Sequence, residues 1–294
     1  MSLNILENLR EMIKKSHERD VIKFVNKKPF NLPPDSKVLD AIEIFLVNSI
    51  NVIAITKNKN LVGIISKRNL LDEINGEESN LLEERKIGEI MHKKFLSLGE
   101  NENLRDICEN LLSSGEECVA IIKKNGEFIG LIDYLDILNN FLNQNFEIEN
   151  PPLNKEGMEK KINFVKSETR LSEFLSQTLK KNEEYAIVTE KNKPIGIITF
   201  KDILSQIYKG TDLTNINVNH VMSPRLTTVQ SWEKITSVMN LFMEKRFNQI
   251  PLREKNKIVG VLKIKGAVRT YFEFLKILEN EKGNFLVKPV EFNY

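Results

Sequence analysis

Apolar residues recur three and four positions apart in VLDAIEIFLVN (38–48), LRDICENLLSS (104–114), LSEFLSQTLKK (171–181) and ITSVMNLFMEK (235–245), the spacing of one helix face. Each stretch is followed by a short apolar run (VIAIT, CVAII, YAIVT, QIPLR) and a polar turn (KNKN, KKNGE, EKNKP, EKNK). A second, glycine-led run comes next: GIISKRNLL (63–71), GLIDYLDIL (130–138), GIITFKDIL (196–204) and GVLKIKGAV (260–268). Two apolar runs around a polar turn predict a hairpin, and the residues after the second run predict another helix. The leading glycines, Gly63, Gly130, Gly196 and Gly260, are 67, 66 and 64 residues apart. The chain is therefore one unit repeated four times: a short extended segment, helix, strand, turn, strand, helix.

A glycine inside a strand marks a bulge or the close approach of another group. In the third copy Thr199 ends the strand and Asp202 falls in the first turn of the following helix, where a carboxylate suits the free N–H groups and the positive dipole end. Taken alone, that pair reads as a helix cap. Units of this size have an open apolar side and bury it against a neighbour. The second and fourth copies open alike, with KIGEIM (86–91) and NVNHVM (217–222), and the first and third do not. The stretch NQNFEIENPPLNKEGM has the composition of a linker. These signals divide the chain into an N-terminal helix (1–22), repeats at 23–82 and 83–145, a linker (146–158), repeats at 159–211 and 212–282, and a tail (283–294). In the N-terminal helix Leu6, Leu9 and Ile13 form one stripe, predicted to pack on its own module, with a dimer contact as the alternative.

This pattern resembles the CBS (cystathionine beta-synthase) domain, and the paired units resemble Bateman modules, over about residues 20–280. The resemblance implies an α/β (α+β) fold of tandem repeats. Each repeat is a small three-stranded sheet with two helices, and two Bateman modules form a disc, internally or through a dimer. A four-repeat chain is similar to the gamma subunit of AMP-activated protein kinase. Members usually bind AMP, ADP or ATP, some bind S-adenosylmethionine, and they usually sense rather than catalyse.

The family signature is Gly, two apolar residues, Ser or Thr, two variable residues, then Asp. Its hydroxyl faces phosphate and its Asp accepts from the ribose diol, in keeping with an acceptor-only carboxylate meeting two vicinal donors. Carried over, the third repeat matches fully with Thr199 and Asp202, and Lys201 stands between them. The resemblance places Met222, Thr227, Asn248, Ile250 and Pro251 of the fourth repeat on the other wall of that site. The second repeat has Asp136 for the ribose but Asp133 where the hydroxyl belongs, which implies a weaker site for adenosine-like ligands, walled by Phe30, Asn51 and Ala54. The first repeat has Ser66 with Asn69, and the fourth has Lys263 and Gly266, which lose both signature side chains. Many members carry His or Arg at the strand start to grip phosphate; here those positions hold Val52, Cys118 or Val119, Glu184 and Gln249. Lys201, Arg225 and Lys263 remain as phosphate partners, against the plain alternative of solvated surface charges.

Composition narrows the field. Lys+Arg 43 against Asp+Glu 41 leaves +2, so no strong field argues for nucleic acid. No apolar run approaches a membrane span and the first residues lack an apolar core, so a cytoplasmic location is expected. Cys108 and Cys118 are expected as core thiols. His17, His92 and His220 have no ligand spacing, so no metal site is expected, and each reads as exposed or satisfied. The sequence therefore points to a regulatory adenine-nucleotide sensor without catalytic residues or cofactor, acting through an effector protein or a homodimer. The alternatives are an interaction module with empty clefts, a nucleotide hydrolase and a nucleic-acid binder.

Overall fold

The structure, a computed structural model, describes residues 3–76, 82–144 and 157–280. The predicted unit occurs four times. Each sheet has a short first strand (Asn31–Leu32, Ser97–Gly99, Phe164–Lys166 or Val229–Gln230) running parallel to a hairpin. The hairpins are Val52–Lys57 with Asn60–Ser66, Cys118–Ile122 with Phe128–Asp133, Tyr185–Glu190 with Lys193–Thr199, and Gln249–Glu254 with Lys257–Lys263. The helices before the hairpins are Val38–Asn48, Leu104–Ser114, Leu171–Lys180 and Ile235–Lys245; those after them are Lys67–Glu73, Tyr134–Leu142, Phe200–Tyr208 and Ile264–Asn280. Three residues before each hairpin the chain passes through the left-handed region, at Ser49 (φ 49°), Gly115 (81°), Asn182 (57°) and Arg246 (51°).

Two kinds of seam join the units. The sheets of repeats one and two meet through Val52, Ala54 and Ile64 against Cys118, Ala120 and Leu131. Those of repeats three and four meet through Tyr185, Ile187 and Val261. Helices make the other seams: Phe45 and Leu70 of repeat one join Phe174 and Phe200 of repeat three, and Leu111 and Phe141 of repeat two join Phe242 and Phe272 of repeat four. The repeats thus close a ring in the order one, two, four, three, and the disc forms within one chain. Each fully buried Phe or Leu on these seams contributes about 1.5–3 kcal/mol relative to exposure.

The repeat glycines lie under the opening segment of the partner repeat. A Cβ on Gly130 would stand 2.1 Å from the Asn26 carbonyl oxygen, and one on Gly196 would stand 2.5 Å from that of Ser223. Gly63 meets Met91 and His92, and Gly260 meets Met158 and Glu159. Backbone bonds fix the crossings, with Ile64 and His92 exchanging N–H···O bonds of 2.9 and 2.8 Å, and Ile197 and Ser223 exchanging bonds of 3.0 and 2.8 Å. Hairpin register also shifts next to each glycine. Both expectations for a strand glycine, bulge and close approach, therefore apply.

Three features depart from the sequence reading. Met158, assigned to the linker, is a strand residue: Met158–Glu159 adds antiparallel to Lys257–Lys263 and makes the fourth sheet four-stranded, because the glycine strand offers a free edge to extended chain. The rest of the linker, apart from Gly157, and the tail lie outside the described residues. The N-terminal helix Leu3–His17 straddles the seam of repeats two and four rather than resting on its own module; Ile13 is fully buried there, and the side chains of Leu6 and Leu9 lie outside the described residues. His17 is neither exposed nor satisfied. It is fully buried, with Nδ1 2.9 Å from Glu279 Oε2, its ring edge-on to Phe272, and Nε2 without a partner among the described residues. Arg105 closes the cluster by donating to Glu279, and burial holds the imidazole below its ordinary pKa. Cys108 and Cys118 are free, buried thiols.

The crossings make the glycines selective for size. Gly130→Ala is expected to lose about 1–3 kcal/mol in urea unfolding, the usual cost of overpacking. Gly99→Ala, where a Cβ meets nothing within 4 Å, should stay within about 0.5 kcal/mol of the parent.

Candidate ligand clefts

The strand Lys193–Thr199 delivers Thr199 to the start of the helix Phe200–Tyr208, with Asp202 in its first turn. Asp202 Oδ2 accepts from the Thr199 N–H at 2.8 Å and from the Thr199 hydroxyl at 2.9 Å. The helix cap read from the sequence is therefore present, and it uses one carboxylate oxygen. Burial raises the Asp202 pKa, opposed by the two Thr199 bonds. Both residues face a cleft of about 450 Å³, together with Lys201, Ile197, and Arg225 and Thr227 from the opening segment of repeat four. Asn248, Gln249 and Pro251 close the far wall.

Two assigned residues are elsewhere. Ile250 is fully buried in the helix seam of repeats two and four, because successive strand residues point to opposite faces and its neighbours Gln249 and Pro251 take the cleft side. Met222 is spent on the crossing, with Sδ 2.9 Å from where a Cβ on Gly196 would be. The polar cleft residues that the sequence reading missed include Ser49 and Lys67 from repeat one, and Lys245 and Arg246 from repeat four. The first pair comes from the other module, across a helix seam that the period of the repeats does not disclose. Arg246 had a signal in the aligned positions, where Gly115 and Asn182 are typical left-handed residues.

Asp133 and Asp136 face a second cleft of about 500 Å³ with Phe30, Asn51, Val52, Cys118 and Arg246. Asp133 is the helix N-cap: its Oδ1 accepts from the Asp136 N–H at 3.0 Å, and Asp136 Oδ2 accepts from the Asp133 N–H at 3.0 Å. Burial and the neighbouring Asp133 push Asp136 up to about 7, and burial raises Asp133 as well. Ala54, assigned to this site, is fully buried between the sheets of repeats one and two. Ser66 and Asn69 line a third cleft of about 390 Å³, where the Ser66 hydroxyl donates to Asn69 Oδ1 at 2.8 Å. Lys263, on the same cleft, is not a solvated charge; it pairs with Glu159 at 2.9 Å and Glu183 at 3.0 Å.

The residue just before each hairpin reaches the centre of the ring. These four equivalent positions are Asn51, Glu117, Glu184 and Asn248, and they meet along the diagonals. Asn51 and Asn248 exchange amide bonds of 3.0 and 2.7 Å, joining repeats one and four. Glu117 and Glu184 form the other diagonal; burial, and then the Glu184 charge, holds Glu117 well above the carboxylate range. Lys67 Nζ donates to Asn51 Oδ1 at 3.0 Å, and burial lowers its pKa to about 8. Asn51 lines all three clefts, so the clefts meet at this polar centre.

A family model described as CBS domain matches residues 19–76, 87–143 and 156–209, more than half of the chain. The fourth repeat, outside those residues, has the same order of helix, hairpin and helix. The uncharacterized protein MJ1225 of Methanocaldococcus jannaschii is 19% identical over 273 residues, covering 84% of this chain and 96% of that protein. Its crystal structure, proposed to be that of an archaeal homologue of g-AMPK, superposes with a TM-score of 0.76 at 17% identity, covering 86% of this chain and 99% of the other. An uncharacterized conserved protein from Pyrococcus horikoshii superposes with a TM-score of 0.60 at 16% identity, covering 85% and 99%.

The carboxyl pair of the second cleft gives the protein a pH dependence. Asp133 and Asp136 hold protons more tightly when folded, so their contribution to stability is complete below the ordinary carboxylate pKa and is lost as pH rises through about 7. Asp136→Asn is therefore expected to flatten the fall in urea stability between about pH 4 and about pH 7. Glu117 and Asp202 act in the same direction and His17 in the opposite one, and all three are common to both proteins. A slope identical to that of the parent would rule out the pair as its source.

Proposed function

We propose that this chain, which belongs to the CBS-domain family, is a regulatory protein that binds an adenine nucleotide in the Thr199/Asp202 cleft and signals through a partner. One observation carries the reading. Of the four copies, this one alone brings a hydroxyl and a carboxylate together, in a cleft that Lys67, Lys201, Arg225, Lys245 and Arg246 also line. Asp202 keeps Oδ1 without a side-chain donor among the described residues, and a ribose diol supplies two. Ile197 and Pro251 offer apolar surface for a base, and the cations offer charge for phosphates. The likeness to a protein proposed as a homologue of g-AMPK supports AMP, ADP or ATP as the ligand class, with S-adenosylmethionine as the further adenosyl candidate.

The mechanism is differential binding, with no bond made or broken. A ligand held between repeats three and four favours one arrangement of the disc, and an effector protein reads that arrangement. Calorimetric titration with AMP, ADP, ATP and S-adenosylmethionine tests the ligand class. A ligand at a hundredfold excess over its Kd should stabilise the fold by about 2.7 kcal/mol. Asp202→Ala should weaken binding at least about tenfold, the equivalent of one charge-assisted hydrogen bond, while the melting transition stays cooperative. Undiminished affinity in that variant would place the ligand elsewhere, and no heat with any of the four would favour a module with empty clefts.

A further inference from the structure

Arg246 occupies an unusual position. It ends the helix Ile235–Lys245 in the left-handed region, at φ 51°, where an arginine has no backbone reason to be. A non-glycine residue there costs about 1 kcal/mol or more, and repeat two uses glycine at the equivalent Gly115. The turn delivers the side chain to the ridge between the first two clefts, and Arg246 lines both.

The other cations of the first cleft are committed or one-sided. Lys67 donates to Asn51, Lys201 to Ser49 at 3.3 Å, and Lys245 to Glu244 at 2.5 Å. Arg225 lines the first cleft alone of the two. No hydrogen bond or ion pair holds the Arg246 guanidinium among the described residues, although its charge is felt by both Asp133 and Asp136. An exposed guanidinium fork between a carboxyl pair and an anion-accepting cleft can serve one of them at a time.

We propose that Arg246 is the phosphate-selecting residue of the Thr199/Asp202 cleft, and that the first and second clefts compete for its one guanidinium. The proposal rests on the nucleotide reading above and adds to it a residue and a coupling. A phosphate in the first cleft draws Arg246 away from the carboxyl pair, which then holds its proton more tightly. An ionised pair draws Arg246 back and weakens the phosphate ligand. By linkage the two effects are equal in size.

The unusual backbone makes the test clean, because Arg246→Gly installs the residue that the turn favours and should fold at least as well as the parent. Calorimetry with adenosine and with ATP is run on the parent, Arg246→Gly, Arg246→Lys, Asp136→Asn and the double variant Asp136→Asn/Arg246→Gly. Arg246→Gly is expected to weaken ATP about tenfold and adenosine less than about twofold, with Arg246→Lys recovering part of the loss. Asp136→Asn is expected to tighten ATP about threefold in the parent and to have no effect once Arg246 is glycine. Equal losses for ATP and adenosine, or none for either, would overturn the assignment of Arg246. An Asp136→Asn effect that survives in the double variant, or is absent in the parent, would overturn the competition. A parent that takes up neither adenosine nor ATP would sink the nucleotide reading and this proposal with it, whereas ATP binding untouched by Arg246→Gly sinks the proposal alone.

Discussion

Each repeat is held to its partner by backbone that lies where a side chain would otherwise be. At Gly130 the carbonyl of Asn26 leaves no room for a methyl group, and the same approach recurs at Gly63, Gly196 and Gly260. The opening segment of each repeat thereby bridges to the glycine strand of its partner before it turns back to its own sheet. The clefts follow from this exchange. Because the segment carrying Ser223, Arg225 and Thr227 must cross Gly196 on its way to its own sheet, it passes beside Thr199 and walls the cleft from the opposite side. The same residue type that weakens a strand locally is thus what lets two repeats share a site.

The repeat and its strands were legible in the sequence because they follow from periods that a chain must obey: alternation in the hairpins, three-and-four spacing in the helices, and a glycine at an interval near 66 residues. The site was legible as far as those periods reach. Thr199, Asp202, Thr227, Asn248 and Pro251 were found at one cleft because all five belong to the repeat and its partner. Ile250 failed on strand alternation, a rule available from sequence once Gln249 and Pro251 are assigned to the cleft. Lys67 and Ser49 were beyond reach for a different reason. They enter from the other module, and the pairing of repeat one with repeat three is decided by which helix faces fit, a matter of side-chain shape that leaves no periodic trace. His17 was misread because its three partners, Arg105, Phe272 and Glu279, lie far along the chain.

Charge at the centre of the ring departs from the symmetry of the backbone. Four equivalent positions carry two amides and two carboxyls, and like meets like along each diagonal. The amide pair satisfies itself, each group both giving and accepting. The carboxyl pair cannot do so when both groups are ionised; burial, and then the Glu184 charge, raises Glu117 above the usual carboxylate range, and burial lowers the Lys67 pKa against the pull of both carboxyls. Asn51 belongs to this centre and also lines each cleft, so the three clefts share one polar residue at the middle of the ring.

The ring order also bears on how the chain comes to be assembled. Residues through repeat two leave the ribosome with their exchanged segments already matched, so the first half can complete its sheets while the second is still being made. Its two helical faces, built around Phe45 and Leu70 on one side and Leu111 and Phe141 on the other, then wait in water for Phe174, Phe200, Phe242 and Phe272. A nascent half-disc with two large greasy flanks is the form most open to capture by a second half-disc of the same kind. Joining the halves in one polypeptide keeps the proper mate at high local concentration and makes the closed single-chain disc the faster outcome.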